Sequence, residues 1–297
     1  MDQRSTPLMA DITPPLKWHG GKGPLASAIV AMMPPRCKKP NSPDAADPGW
    51  LHYVEPYAGG LSVLLANNPE GISEVVNDVN FSLTNFWCAI QGEKSFADFR
   101  RRVEAVPFSQ VAYDGCHQPY EPTWDTTGGM CSHAVNFFIH CRQSLAGRMK
   151  GFASITRNRT RRGMNEQVSA WLNAVEGLPA VHERLKRVLI LNKTALEVIR
   201  TEDGPRTLLY LDPPYMHGTR ATTKEYGDNE MSDHDHAELL LALDNLQGRF
   251  MLSGYHSPLY DNHAKTRGWK LTEFDVANQA AGGKSKRRMI ECLWTNF

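Results

Sequence analysis

The run Thr207-Leu208-Leu209-Tyr210-Leu211, followed at once by Asp212-Pro213-Pro214-Tyr215, constrains this chain more than any other segment. A short, nearly continuous apolar run reads as a buried strand. The two prolines then end it, because each ring fixes φ and removes a backbone donor. The tetrapeptide after the strand is stiff, with carbonyls pointing outward. A carboxylate and an aromatic ring therefore stand at a strand's carboxyl end, which is where open α/β sheets bind ligands. Stiff acceptors beside an aromatic face suit a flat nitrogenous ring that carries an amino group, that is, a nucleobase.

Other segments repeat the pattern of a short strand leading into a helix. Leu51 to Val54 reads as a strand, then the turn Glu55-Pro56-Tyr57-Ala58-Gly59-Gly60, then a helix from Leu61 to Ala66. Glu74 to Asp78 reads as a second strand ending in an acid, with a helix over Phe81 to Gln91. Pro24 to Met33 predicts an earlier helix, and the proline-rich stretch from Pro34 to Gly49 a surface loop. Between residues 94 and 181 the alternation lapses. Helical stretches there (Phe96 to Val106, Ser132 to Gln143, Glu166 to Val175) are separated by loops rich in Gly, Pro, Thr and Asp, which predicts an inserted, mostly helical subdomain. The rhythm resumes with strands at Val188 to Asn192, Thr207 to Leu211 and Arg249 to Ser253. A helix is expected over Asp233 to Leu246 with Ser232 or Asp233 as its N-cap. Trp269 to Phe274 and Met289 to Thr295 predict a closing antiparallel pair. The expected fold is a Rossmann-like α/β sheet formed by residues 1–93 and 182–297, with residues 94–181 inserted.

Composition excludes several classes. The 297 residues carry a formal net charge of only +1, so a nucleic-acid partner must be sought in how charge is distributed. No apolar run approaches the roughly 18 residues that a membrane span needs. Met1 to Thr13 has acids and no apolar core, which predicts no signal peptide and a cytoplasmic location. Six cysteines without paired spacing fit reduced thiols better than a disulfide framework.

The glycines of the Glu55 to Gly60 turn let a ligand approach the backbone, but they lack the GxGxxG spacing of a dinucleotide site. The acid at the end of the second strand, Asp78, is placed to bind ribose hydroxyls. A nucleoside cofactor without a pyrophosphate points to S-adenosylmethionine. The plainer reading is that Gly59 and Gly60 only turn the chain and Asp78 only caps a helix.

The chain resembles the Dam-type (D12 class, alpha group) DNA adenine-N6 methyltransferases, particularly phage-type members. The resemblance lies in Leu16-Lys17-Trp18-His19-Gly20-Gly21-Lys22, the Glu55 to Gly60 turn with Leu61-Ser62-Val63, Asn77-Asp78, Asp212 to Tyr215, and the ending Arg288 to Asn296. It implies that Trp18 and Lys22 contact the cofactor with Glu55, Pro56, Tyr57, Gly59 and Gly60, and that Asp78 holds the ribose. Asp212 would meet the methionine amino group and help line the target pocket. Relatives often carry an acid after the strand that ends at Asn192, and Asn192 or Thr194 would stand in for it here. Asp212 and the Pro213 carbonyl would accept the two N6 hydrogens while Tyr215 stacks on the base, Pro214 stiffening the turn. A base inside a duplex cannot reach such a pocket, so it must be flipped out.

From Arg142 to Arg162 the chain carries Arg142, Arg148, Lys150, Arg157, Arg159, Arg161 and Arg162 and no acid. Interleaved with Gly, Ser, Thr and Asn, these are partners for phosphates and base edges, and the resemblance makes their subdomain the target-recognition part. Lys284, Lys286, Arg287 and Arg288 form a second basic cluster, either a solvated loop or a backbone contact. Cys131, His133, His140 and Cys141 have the wrong spacing for a zinc finger and read better as a half-buried helix. The acids of Asp233 to His236 are expected at a helix N-terminus without any metal. The expected partner is double-stranded DNA, with no metal and no membrane, for a monomer or weak dimer. Aspartate at 212 favours adenine N6; RNA adenine, cytosine N4 and a non-catalytic DNA-binding relative are the alternatives.

Overall fold

A computed structural model of the chain describes residues 11–18, 20–37, 49–116, 129–153, 155–216, 230–277 and 288–297. His19, most of the proline-rich loop, and Lys284, Lys286 and Arg287 lie outside the described residues. The strands are β1 (His52–Glu55), β2 (Ser73–Asn77), β3 (Thr160–Arg161), β4 (Met164–Asn165), β5 (Val188–Leu191), β6 (Thr207–Leu211), β7 (Arg249–Gly254), β8 (Lys270–Ala277) and β9 (Arg288–Thr295). The helices are α1 (Ala26–Ala31), α2 (Ser62–Ala66), α3 (Phe81–Gln91), α4 (Glu93–Glu104), α5 (Gln110–Gly115), α6 (Gly129–Gln143), α7 (Glu166–Leu185), α8 (Ala195–Glu202), α9 (Asp233–Asp244) and α10 (Pro258–Arg267).

The main sheet has seven strands in the order β5-β2-β1-β6-β7-β9-β8. Pairings β1–β2, β1–β6 and β6–β7 are parallel, whereas β7–β9 and β8–β9 are antiparallel. This is the expected Rossmann-like class, closed by the expected antiparallel pair. All five residues of β6 are buried, as its unbroken apolar run requires of a strand covered on both faces. By its contacts the chain divides into two compact units: residues 1–32, 59–70 and 80–190, and residues 33–58, 71–79 and 191–297.

In the second unit, Val54, Leu209, Leu211, Phe250 and Leu252 from the sheet pack with Leu239, Leu240 and Leu243 of α9 and Val198 and Ile199 of α8. Ser232 caps α9 in a full capping box with Asp235, so the acids there serve the helix end. In the first unit, α3, α4, α6 and α7 pack around an aromatic core. Phe86 of α3 lies parallel to Phe138 of α6 at 5.7 Å and meets Phe99 of α4 edge-on at 5.8 Å.

The structure departs from the sequence reading in three ways. α7 runs to Leu185, through Pro179, well beyond Val175. Gly177 and Pro179 read as breakers, yet buried Leu178, Val181 and Leu185 continue the apolar stripe and hold the helix against the core. Three helices, α5, α8 and α10, have no counterpart in that reading: α5 and α8 are short, and α10 has little apolar periodicity. Third, β3 and β4 form a small hairpin whose turn residues, Arg162 and Gly163, have φ of 55° and 73°. Two positive φ values match the twist of a tight hairpin, but arginine is an unusual residue there.

Buried Asn77 ties the strand exits together. Its amide nitrogen donates to the Pro56 carbonyl (3.0 Å) and the Lys193 carbonyl (3.1 Å), and its oxygen accepts from the Lys193 amide (2.8 Å). Asn77→Leu strands these groups and is expected to destabilise the protein by on the order of 3 kcal/mol. Urea denaturation checks this; a loss within error of zero would remove Asn77 from this role.

Candidate active site

The carboxyl ends of the parallel strands gather the polar residues of the second unit. Glu55 is the last residue of β1, Asp78 comes directly after β2 and Asp212 directly after β6, and these three strands are neighbours in the order β2-β1-β6. Glu55 is only 2% exposed and accepts a hydrogen bond from the Tyr53 hydroxyl at 2.8 Å. Burial, with Glu55's charge beside it, pushes the Tyr53 phenol well above its ordinary range, so it stays protonated and donates. The Asp78 turn is pinned from outside: Asn192 donates its side-chain amide to the Asp78 carbonyl (2.7 Å) and the Val79 carbonyl (3.2 Å). Thr194 caps α8. Asn192 and Thr194 thus have local structural duties beside Asp78.

The second unit also holds Pro56, Tyr57 and the tetrapeptide. Pro56 and Pro213 are buried, whereas Tyr57, Asp212, Pro214 and Tyr215 are half-buried. Tyr57 packs against the sheet core, and burial, followed by the charge of Asp235, raises its pKa. The Tyr215 hydroxyl donates to the carboxylate of Glu291 on β9. Its ring meets Tyr255 edge-to-face at 4.6 Å and 73°. Burial first, then the charges of Asp212 and Glu291, hold the Tyr215 phenol far above its ordinary range. On β6, Tyr210 shares a hydrogen bond with Ser253 at 3.0 Å. The sequence reading missed Tyr53, Ser253, Tyr255 and Glu291. Glu291 did leave a signal, a single acid within the otherwise largely apolar run from Met289 to Trp294.

The first unit holds Trp18, Lys22, Gly59 and Gly60. A Cβ on Gly59, whose φ is 48°, would meet the Trp18 indole nitrogen at 3.0 Å, and one on Gly60 would meet the Trp18 Cβ at 2.9 Å. The side chain that these glycines admit is therefore Trp18 itself. Trp18 also packs on Phe137 at 6.2 Å, and the Trp87 indole donates to the Gly59 carbonyl at 3.1 Å. Lys22 is 7% exposed, and its ammonium donates to the Gly20 carbonyl at 3.1 Å.

The model of the D12 class N6 adenine-specific DNA methyltransferases matches residues 18–276. The chain belongs to this family. No curated protein matches it. As a D12-class chain it is a site-specific adenine-N6 DNA methyltransferase, of a family that generally uses S-adenosylmethionine. The chemistry of the residues present fits that group: three carboxylates on adjacent strand exits suit a ribose diol and a cationic donor. Among the described residues no cluster of His, Cys, Asp and Glu could hold a metal, and no helix is long and apolar enough to cross a membrane.

The basic segment of this D12 methyltransferase lies in the first unit. Arg148, Lys150, Arg157, Arg159, Arg161 and Arg162 are exposed, and Arg161 and Arg162 stand at the β3–β4 hairpin. Acids are absent from the segment but not from its surroundings. Arg162 pairs with Glu176 at 3.0 Å and Arg159 lies 3.8 Å from Glu166, both acids of α7. Arg142 is placed differently, on α6, with one guanidinium nitrogen donating to the Ala170 carbonyl at 2.6 Å. Other residues of α6 also have partners within the unit: His133 meets Ser82 at 2.9 Å, and the Cys141 thiol donates to the Lys17 carbonyl at 3.2 Å. Arg288, from the second basic cluster, pairs with Asp275 at 2.7 Å.

Lys17 sits beside Trp18 and donates to Gln167 at 3.3 Å. Burial, helped by the like charge of Arg142, lowers its pKa from 10.5 to about 8. Between those values the unfolded chain binds more protons than the folded one, so Lys17's contribution to stability rises with pH through this window. Below about 8 the ammonium is charged in both states and its desolvation opposes folding. Lys17→Met is therefore expected to be more stable than the wild type at pH 7, with the gap shrinking towards pH 10. Urea denaturation at both pH values tests the sign; a gap that widens with pH contradicts it.

Proposed function

We propose that this chain methylates N6 of an adenine flipped out of double-stranded DNA, using S-adenosylmethionine held at the carboxyl edge of its sheet. The observation that carries the reading is the set of acids Glu55, Asp78 and Asp212 at three adjacent strand exits. In this reading Asp78 takes the ribose hydroxyls. Glu55, oriented by Tyr53, Pro56 and Tyr57 border the cofactor, as do Trp18, Lys22, Gly59 and Gly60. Asp212 meets the cofactor's amino group. When bound, S-adenosylmethionine supplies an activated methyl group on a sulfonium.

The remaining work falls to the chain's own residues. The N6 lone pair of adenine is delocalised into the ring and is a poor nucleophile. Asp212 and the Pro213 carbonyl accept the two N6 hydrogens and draw the nitrogen towards a tetrahedral geometry. They also stabilise the positive charge that develops on it, as preorganised acceptors rather than as a strong base. Pro213 and Pro214 hold these acceptors still, which limits the reorganisation needed during reaction. Tyr215 stacks on the base.

Residues 94–181 form the target-recognition part in this proposal, acting on DNA as a monomer or weak dimer. Arg148, Lys150, Arg157 and Arg161 supply phosphate contacts, with Arg142, Arg159 and Arg162 bracing or sharing them. The exposure of Arg148, Lys150, Arg157 and Arg161 and the absence of acids within residues 142–162 support this assignment.

Asp212→Ala is expected to keep the circular dichroism spectrum of the wild type while methyl transfer to DNA falls by at least about 100-fold. Retained turnover in the purified variant would defeat the assignment. For DNA binding, replacing Arg157 and Arg161 by Ala should flatten the plot of log K against log salt by about 0.9 for each phosphate no longer neutralised. An unchanged slope would show that these residues do not touch the backbone.

A further inference from the structure

We infer that Glu291 is a positioning residue for Tyr215: it anchors the phenol hydroxyl and, together with Tyr255, sets the orientation of the ring that meets the target adenine. This rests on the proposed stacking role of Tyr215.

The topology brings Glu291 to the site. β9 runs antiparallel to β7, and its Cys292 pairs with Gly254, the last residue of β7. Glu291 is thus one residue past the carboxyl end of β7, level with the loop that carries Tyr255. Gly254 also leaves room for the Trp294 ring of β9, which a Cβ there would meet at 2.9 Å. Glu291 is 7% exposed, and a buried carboxylate is costly to hold unless it is hydrogen-bonded. The Tyr215 hydroxyl supplies such a bond across 76 residues of sequence. Tyr255 sets the tilt of the same ring through its edge-to-face contact at 73°. Pro213 and Pro214 stiffen the backbone that precedes Tyr215, but the side-chain torsions remain to be fixed, and the two contacts from β9 and the β7 exit do this. An aromatic platform misaligned with the base loses rate rather than cofactor affinity, because in-line geometry at N6 depends on the base plane.

The test is a double-mutant cycle read in steady-state transfer of tritiated methyl groups from S-adenosylmethionine to unmethylated DNA. Glu291→Leu and Tyr215→Phe are each expected to lower kcat on the order of 10- to 100-fold, with the KM for S-adenosylmethionine unchanged. The two losses should not add, because both remove the same hydrogen bond. Glu291→Gln retains an oxygen acceptor and should recover most of the rate. Full kcat in Glu291→Leu, fully multiplicative losses in the double variant, or no recovery with Gln would each overturn the inference. If Glu291→Leu does not fold, Tyr215→Phe decides: a matching loss with a normal KM supports the anchoring role, and wild-type kcat removes it. A wild-type protein that methylates no adenine would instead defeat the parent reading, so the two failures are told apart.

Discussion

The buried amide of Asn77 is the constraint on which the carboxyl edge of the sheet depends. A single side chain takes up the Pro56 carbonyl, the Lys193 carbonyl and the Lys193 amide. These groups belong to the turn after β1 and to the turn after β5, on either side of β2 in the sheet order. Backbone groups leaving a parallel sheet lose their ladder partners and are costly if buried unpaired. With Asn77 in place those exits are satisfied, and Glu55 and Asp78 hold fixed positions next to them. Asn192 repeats the device on the far side of Asp78.

Tyrosine hydroxyls do for the side chains at this edge what Asn77 does for the backbone. Tyr53 donates to Glu55, Tyr210 pairs with Ser253, and Tyr215 donates to Glu291. Burial keeps the Tyr53 and Tyr215 phenols protonated, so each remains a donor to its carboxylate. Buried hydrogen-bonded networks of this kind are rigid because each bond is strong in a low dielectric and costly to break. In the proposed reaction this rigidity serves the Tyr215 ring, whose hydroxyl is held by Glu291.

In the first unit the same economy of space applies to an aromatic loop. Gly59 and Gly60 lack side chains where Trp18 lies, so these glycines make room for a neighbouring indole. The basic segment likewise acquires partners from α7, whose Glu166 and Glu176 lie beyond the window in which the sequence shows no acid. Local charge counts cannot anticipate a helix that folds back beside the segment. That packing ties Arg159 and Arg162 to α7, exposed though both are.

Much of the sheet was legible from the chain alone. β6 coincides with the apolar run Thr207 to Leu211, and α3 with Phe81 to Gln91, because each combines clear periodicity with a clean start or stop. The acids at strand ends and the stiff Asp212 to Tyr215 turn were visible for the same local reason: proline, glycine and carboxylate act on the backbone next to them. The features that only the tertiary structure decided were long-range. α7 passes Pro179 because buried side chains on either side outweigh one missing donor. Trp18 fills the space left by Gly59 and Gly60. Glu291 reaches Tyr215 because an antiparallel strand runs past the end of its parallel neighbour. Local residue chemistry determines where a strand stops and which groups stand there; which distant side chain then holds those groups is a matter of strand order, and strand order is fixed by packing.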